Sequence, residues 1–158
     1  MDFITTELSK YLSRELVVLI IAMMPFVELK LALPVGLSLG MGVPESFIYS
    51  YLGSLVPMPF IIFFIRNIFS FLKSRRFLKS AITKIVEKSH LKYENLIKYK
   101  KFGLFLFVAI PLPGTGVWSA SLIANLVNLD KISSVIAISF GNLIAGIIIL
   151  SLSGLVIL

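Results

Sequence analysis

Four long apolar stretches, residues 16–43, 47–65, 102–129 and 132–158, leave this chain little choice of solvent. Hydrophobic residues make up 58% of the 158 and charged residues only 15%, against roughly 45–50% and 25% in a soluble domain. A soluble fold of this size could not cover that surface. The chain therefore reads as an all-α integral membrane protein, a single membrane domain over 1–158.

The four stretches differ in kind. The second and fourth suit single spanning helices, which need about 20 residues each. The first is interrupted by Pro25, Glu28, Lys30, Pro34, Gly36, Gly40 and Gly42, and the third by Pro111, Pro113, Gly114 and Gly116. A straight helix would lose hydrogen bonds at each proline and place charge in lipid. A re-entrant helical hairpin fits both better. Arms of about 10–12 residues rise about 15–18 Å, to the middle of a hydrocarbon core ~30 Å thick. Pro25 and Pro34 would form the first tip, and Pro111, Pro113 and Gly114 the second. Irregular backbone at that depth is tolerated only inside protein or beside a water-filled cavity, so the tips should line a site.

The halves resemble each other. Ala32-Leu33-Pro34 matches Ala109-Ile110-Pro111, and Gly53-Ser54-Leu55-Val56 matches Gly141-Asn142-Leu143-Ile144. This makes 16–65 a first repeat and 102–158 a second. Between them, residues 66–101 hold eleven of the fifteen Lys and Arg residues, opposed only by Glu87 and Glu94. Such a segment is expected in the cytoplasm, within reach of anionic headgroups. It carries no nucleic-acid recognition motif. A hairpin crosses the membrane zero times and a span once, so the two units enter from opposite sides. That is an inverted repeat, whose site is expected near the midplane. Pro44-Glu45 and the C-terminus would lie outside, and Asp130-Lys131 inside.

Residues 1–15 space Phe3, Ile4, Leu8, Tyr11 and Leu12 as an interfacial helix. They lack the basic n-region of a signal peptide and are expected in the mature chain. Phe77, Leu78, Ile82, Ile85 and Val86 show similar spacing within the basic segment, where His90 reads as a solvated surface residue.

The segment Pro25-Phe26-Val27-Glu28-Leu29-Lys30 carries the chemistry. A carboxylate and an amine in an apolar hairpin are costly to bury unless paired, and intramembrane charges mark ion or substrate paths. Glu28 is the candidate for proton or Na+ coupling and Lys30 for attracting a phosphate or carboxylate; a structural ion pair is the competing reading. In the second tip, Thr115 and Gly116 can offer backbone N–H groups to an anion, with Ser119 and Trp118 beside them. There Thr115 as a helix cap is the plainer alternative. Asn125 and Asn142, in apolar surroundings, are candidates for polar support between helices. With no cysteine and one histidine, most nucleophile–base pairs and metal clusters cannot be assembled, and no enzyme motif is present. No cofactor is expected.

Pro25-Phe26-Val27-Glu28-Leu29-Lys30 followed by Pro34-Val35-Gly36-Leu37, together with Pro111-Leu112-Pro113-Gly114-Thr115-Gly116-Val117-Trp118, resembles the two motifs of the small multidrug export protein family. That family is similar to the DedA superfamily, whose members have two opposed re-entrant hairpins and include lipid transporters and scramblases, several associated with polyprenyl phosphate carriers. Lys30 stands where the family more often has Arg, keeping the charge but not the bidentate grip. The Arg of the second DedA hairpin is not found near 111–121. The resemblance implies a prokaryotic cell membrane and a transporter of an anionic amphiphile such as a lipid phosphate, using Lys30, Thr115, Gly116, Ser119 and Trp118. Ion-coupled export of small or cationic compounds through Glu28 is the alternative, and a membrane scaffold the third reading. The halves are small for shielding a polar cavity, so a homodimer among membrane lipids is expected.

Overall fold

The computed structural model describes the backbone of residues 12–74 and 94–157, and the side chains of 12–65 and 101–153. The expected helix over 1–15, apart from its last residues, and the basic-segment pattern around Phe77–Val86 and His90 lie outside the described residues. The described elements are helical: α1 (Arg14–Met23), α2 (Glu28–Ser38), α3 (Val43–Leu55), α4 (Pro57–Ser74), α5 (Glu94–Ala109), α6 (Val117–Leu126) and α7 (Lys131–Ile157).

Punctuation in the sequence sets these boundaries. α1 runs into Pro25, which has no N–H to continue it. Pro44 sits in the first turn of α3, where the missing N–H costs nothing. Asp130 accepts the Ser133 N–H at 2.9 Å and so caps α7. Pro57 and Pro59 remove the N–H groups that Gly53 and Leu55 would accept, dividing α3 from α4 at Val56. Backbone torsions stay helical there (φ −53°, ψ −46°), so Val43–Ile65 forms one 23-residue apolar rod, matched by Lys131–Ser153. At 1.5 Å per residue each is about 34 Å long, enough to cross a bilayer core of ~30 Å. α1, α2 and α6 rise only about 15–17 Å.

Pro34 departs from expectation. It lies inside α2 rather than at the break, which is confined to Met24–Val27. A proline six residues into the helix removes one donor, leaving the Lys30 carbonyl without its helical partner, and does not end the helix.

The two halves repeat the same backbone hydrogen bonds 88 residues apart, the separation that also divides Tyr51 from Ser139 and Ser54 from Asn142. Leu39 N–H to Val35, Gly40 to Leu37, Met41 to Gly36 and Ser46 to Gly42 each recur, as Val127 to Ile123, Asn128 to Asn125, Leu129 to Ala124 and Ser134 to Asp130. Gly40 and Asn128 both carry positive φ, 76° and 57°, as residues ending a helix do. The glycines repeat too. A Cβ on Gly53 would meet the Leu19 carbonyl at 2.5 Å, and one on Gly141 the Phe105 carbonyl at 2.7 Å. This register corrects one of the sequence matches. Ala32-Leu33-Pro34 falls on Ala120-Ser121-Leu122, while Ala109-Ile110-Pro111 ends α5 as Met23-Met24-Pro25 ends α1. Identity of letters had aligned a helix interior with a helix end.

α1 and α2 pack on α3, and α5 and α6 on α7. The cores correspond: Val18, Ala22 and Ala32 in one cluster, Leu104, Val108 and Ala120 in the other. The rods run antiparallel. Lys131 at the start of α7 lies 5.1 Å over the Phe63 ring, whereas Phe47 near the start of α3 abuts Gly146 late in α7. Between these contacts the equivalent residues meet each other: Asn142 donates to Ser54 Oγ at 2.7 Å and Tyr51 to the Ser139 carbonyl at 3.2 Å. Phe60, Phe64, Ile132, Ile136 and Phe140 point outward, all more than half exposed.

Candidate functional site

The two helix breaks meet near the crossing of the rods. At the first, Phe26 and Glu28 have φ of 71° and 50°, the left-handed region where a non-glycine residue carries strain. The Glu28 side chain crosses to the second break, where its Oε1 accepts the Trp118 N–H at 2.9 Å; the Val117 N–H also faces this carboxylate. Only 5% of Glu28 is exposed. α6 begins after Gly116, which supplies no side-chain cap. Its first-turn N–H groups and positive dipole end would otherwise lack a partner. Glu28 caps α6 from the other half. Gly116 is required for this, since a Cβ there would fall on the carboxylate.

Lys30 makes the complementary set of bonds. Its ammonium donates to the Leu112 carbonyl at 2.7 Å, to the Thr115 carbonyl, and to Thr115 Oγ1 at 3.1 Å. An ammonium has three donors, and all three are used. Trp118, which stands 88 residues after Lys30, reaches back: its indole N–H donates to the Met23 carbonyl at 3.1 Å, at the end of α1. The ion pair between Glu28 and Lys30 that was the competing reading is therefore not formed. They feel each other's charge, but each bonds groups of the second half.

Thr115 is not the cap of α6. It stands one residue before the Gly116 N-cap, so its hydroxyl turns back into the break, donating to the Ile110 carbonyl at 2.7 Å and accepting the Leu112 N–H at 3.1 Å. Gly114, with φ of 81°, closes that turn in a conformation glycine adopts without penalty. Pro25 lies in the first break, and Pro111 and Pro113 in the second. Ser119 lines a cavity of about 130 Å³ with Glu28, Lys30, Gly116 and Trp118. Lys30 also lines a larger one, about 540 Å³, with Pro34, Leu37, Pro111, Ile149 and Leu152. Lys30 thus forms part of the wall of both.

Asn125 and Asn142 lie away from this junction. Asn125 Nδ2 donates to the Ile61 and Ile62 carbonyls at 3.2 and 2.6 Å; Asn142 holds Ser54 on the crossing. Sequence reasoning missed Tyr51, Ser54 and the carbonyls of Met23 and Leu112 as partners. The 88-residue spacing could have found the first two. Among the described residues no group of three His, Asp or Glu is placed to hold a metal ion.

Among the described residues, two rods long enough to cross a bilayer, apolar side chains on their outer faces, and a buried carboxylate with a half-buried ammonium at a junction of helix breaks make an all-helical protein of the kind that could span a membrane. The chain belongs to the family described as "Putative small multi-drug export protein", whose pattern matches residues 28–148, from Glu28 through both the second break and most of α7. This is a family of export proteins rather than of enzymes. Rods and family together point to a membrane location. Comparison with curated proteins and with solved structures returned no match.

Proposed function

We propose that the chain is a transporter built as an inverted repeat, each half a re-entrant hairpin plus a span, that moves an anionic amphiphile such as a polyprenyl lipid phosphate across the bilayer. The larger cavity carries this reading. Its walls, Pro34, Leu37, Pro111, Ile149 and Leu152, are apolar but for the hydroxyl of Ser153, and its one charge is the Lys30 ammonium. That composition suits a headgroup phosphate on Lys30 with tails kept in apolar surroundings.

The repeated hydrogen bonds, the antiparallel rods and arms of half a membrane's thickness support the hairpin architecture. With residues 66–101 in the cytoplasm, the larger cavity faces outward. Because Lys30 already has three acceptors, an arriving phosphate must take the place of one of them, the Leu112 carbonyl, the Thr115 carbonyl or the Thr115 hydroxyl. Binding is then an exchange of acceptors, which loosens the second tip as the headgroup enters. Thr115, Gly116, Ser119 and Trp118 line the route beyond Lys30. Glu28 is the coupling group: taking up a proton or Na+ weakens its hold on the start of α6. The working unit is a homodimer among membrane lipids.

One observation favours a second reading, ion-coupled export of cationic compounds. Glu28 and the Trp118 ring line the smaller cavity together, and a carboxylate beside an aromatic face attracts cations. Proteoliposomes separate the two. Transbilayer movement of a labelled polyprenyl phosphate should be abolished by Lys30→Ala and by Glu28→Gln, and should respond to a pH or Na+ gradient. Unimpaired movement in folded Lys30→Ala protein would refute the role of Lys30. Export of a cationic dye that needs Glu28 but tolerates Lys30→Ala would establish the second reading. If Glu28→Gln destabilises the fold and neither cargo moves in wild type, the chain is a scaffold.

A further inference from the structure

The 88-residue register allows each wall of the larger cavity to be compared with its counterpart, and the two sides differ. The cavity lies between α2 and the far part of α7, bounded by Leu37 on one side and by Ile149 and Leu152 on the other. Eighty-eight residues away, the separation of the paired residues at the crossing, Leu37 corresponds to Asn125, and Ile149 and Leu152 correspond to Ile61 and Phe64. There the gap is shut. α6 packs along α4 far more extensively than α2 packs along α7, Ile61 and Ile62 are buried, and about 110 Å³ remains around Asn125, Asn128, Lys131 and Ser134. Apolar packing of Met58 and Ile62 against Ala120 and Ala124 fills that side, and the Asn125 amide adds hydrogen bonds to the carbonyls of Ile61 and Ile62.

We infer that this is a second mouth of the same pathway, latched by Asn125 in the present conformation, and that the two mouths open in alternation. The inference rests on the transport reading. A chain with two like halves has two conformations of similar energy, related by exchanging the halves' packing, and a bond present in only one half sets which is populated. Leu37 cannot make such a bond, so the Lys30 side stands open. In the topology proposed above, the open mouth faces outward and the latched mouth lies on the cytoplasmic side, with Lys131 at its rim. A neutral amide suits a latch, because a single hydrogen-bonded contact between helices in a membrane is modest in strength and breaks reversibly.

The chain has no native cysteine, so single cysteines report each mouth cleanly. Leu37→Cys marks the open mouth and Ser134→Cys, fully buried here, the latched one. Proteoliposomes would be treated with a small membrane-permeant thiol reagent and the labelling rates compared with and without Asn125→Leu, which copies the residue of the open half. Ser134→Cys should label about tenfold faster without the latch, and Leu37→Cys correspondingly more slowly. Faster labelling at Ser134→Cys with no change at Leu37→Cys would mean local loosening and would overturn the alternation, as would no change at either. Leu37→Asn, which leaves the second half intact, is the companion variant: it should slow labelling of Ser153→Cys in the first mouth and speed that of Ser134→Cys. Failure of both variants to move the mouths in opposite directions sinks the inference. Labelling needs no cargo, so a protein that alternates but does not move polyprenyl phosphate would refute the substrate and not the latch.

Discussion

Replacing Gly116 with alanine should destabilise the protein when Glu28 is present and stabilise it slightly when Glu28 is absent. A Cβ at 116 overlaps the Glu28 carboxylate, and the three atoms nearest to it all belong to that carboxyl group. The side chain must swing away, giving up a charge-assisted bond to a buried N–H, a loss of about 1.5–3 kcal/mol. Glu28→Ala removes the same bond and should cost a similar amount. It keeps a non-glycine residue at φ 50°, so backbone strain cancels in the comparison. In that background the three atoms nearest the new methyl group are gone. Gly116 has an extended φ of −159°, open to alanine, and the restricted unfolded chain should contribute about 0.4–1 kcal/mol of stability. Gly116→Ala should therefore lower the melting temperature by about 4–8 °C in wild type and raise it by about 1–3 °C in Glu28→Ala. Trp118 is the only tryptophan, so its fluorescence in detergent follows melting at the site itself. Equal and additive losses in the two backgrounds would refute the trans cap.

Lys30→Met, similar in length but without donors, takes the ammonium from the Leu112 and Thr115 carbonyls and should cost about 1–3 kcal/mol, read as a lower melting temperature. Gly53→Ala and Gly141→Ala drive a methyl group toward the backbone of α1 and α5, and should cost a similar amount, about 1–3 kcal/mol each; strongly unequal losses in thermal melts would speak against the equivalence of the two glycines. Hydrogen bonds from the Ser133 side chain and backbone hold the Asp130 carboxyl below its ordinary value. With the folded value depressed, its contribution is present above the ordinary pKa of about 3.9 and lost as pH falls through the folded value. Wild type should therefore melt above Asp130→Asn at pH 6, and the gap should narrow as pH falls below about 3.9.

The two rods and the two breaks were legible because both depend on residue type: long apolar runs for one, proline and glycine for the other. The site was legible only in part. Glu28 and Lys30 stood out as charges in an apolar setting, but their partners did not, because those partners are backbone N–H and carbonyl groups that every residue carries. The competing reading of them as an ion pair came from looking for side chains alone. Gly116 was noticed as a breaker of helix and as a source of backbone N–H groups for an anion, whereas its lack of a side chain matters as room for a carboxylate from the other half. Pro34 was misplaced for a related reason: proline marks a lost donor, and whether the helix stops depends on the packing around it. The repeat was visible as letters, and of its two matches the one at Gly53 and Gly141 had the register that the hydrogen bonds supply, whereas the one at Pro34 and Pro111 did not.

At the crossing of the rods, residues 88 apart face each other, and this bears on what a single half could do alone. Two identical copies of the first half, docked in the same way, would set Ser54 against Ser54 and, at the junction, one Glu28 carboxylate against another in a space that now holds Gly116. Like charges so placed repel. Two copies of the second half would leave the N–H groups at Val117 and Trp118 with no anion. Only unlike halves can turn each self-meeting position into a donor with an acceptor, or a carboxylate with the space it needs. The difference between the halves is thus what permits the charged junction, and a fragment carrying the first half alone should not self-assemble into it.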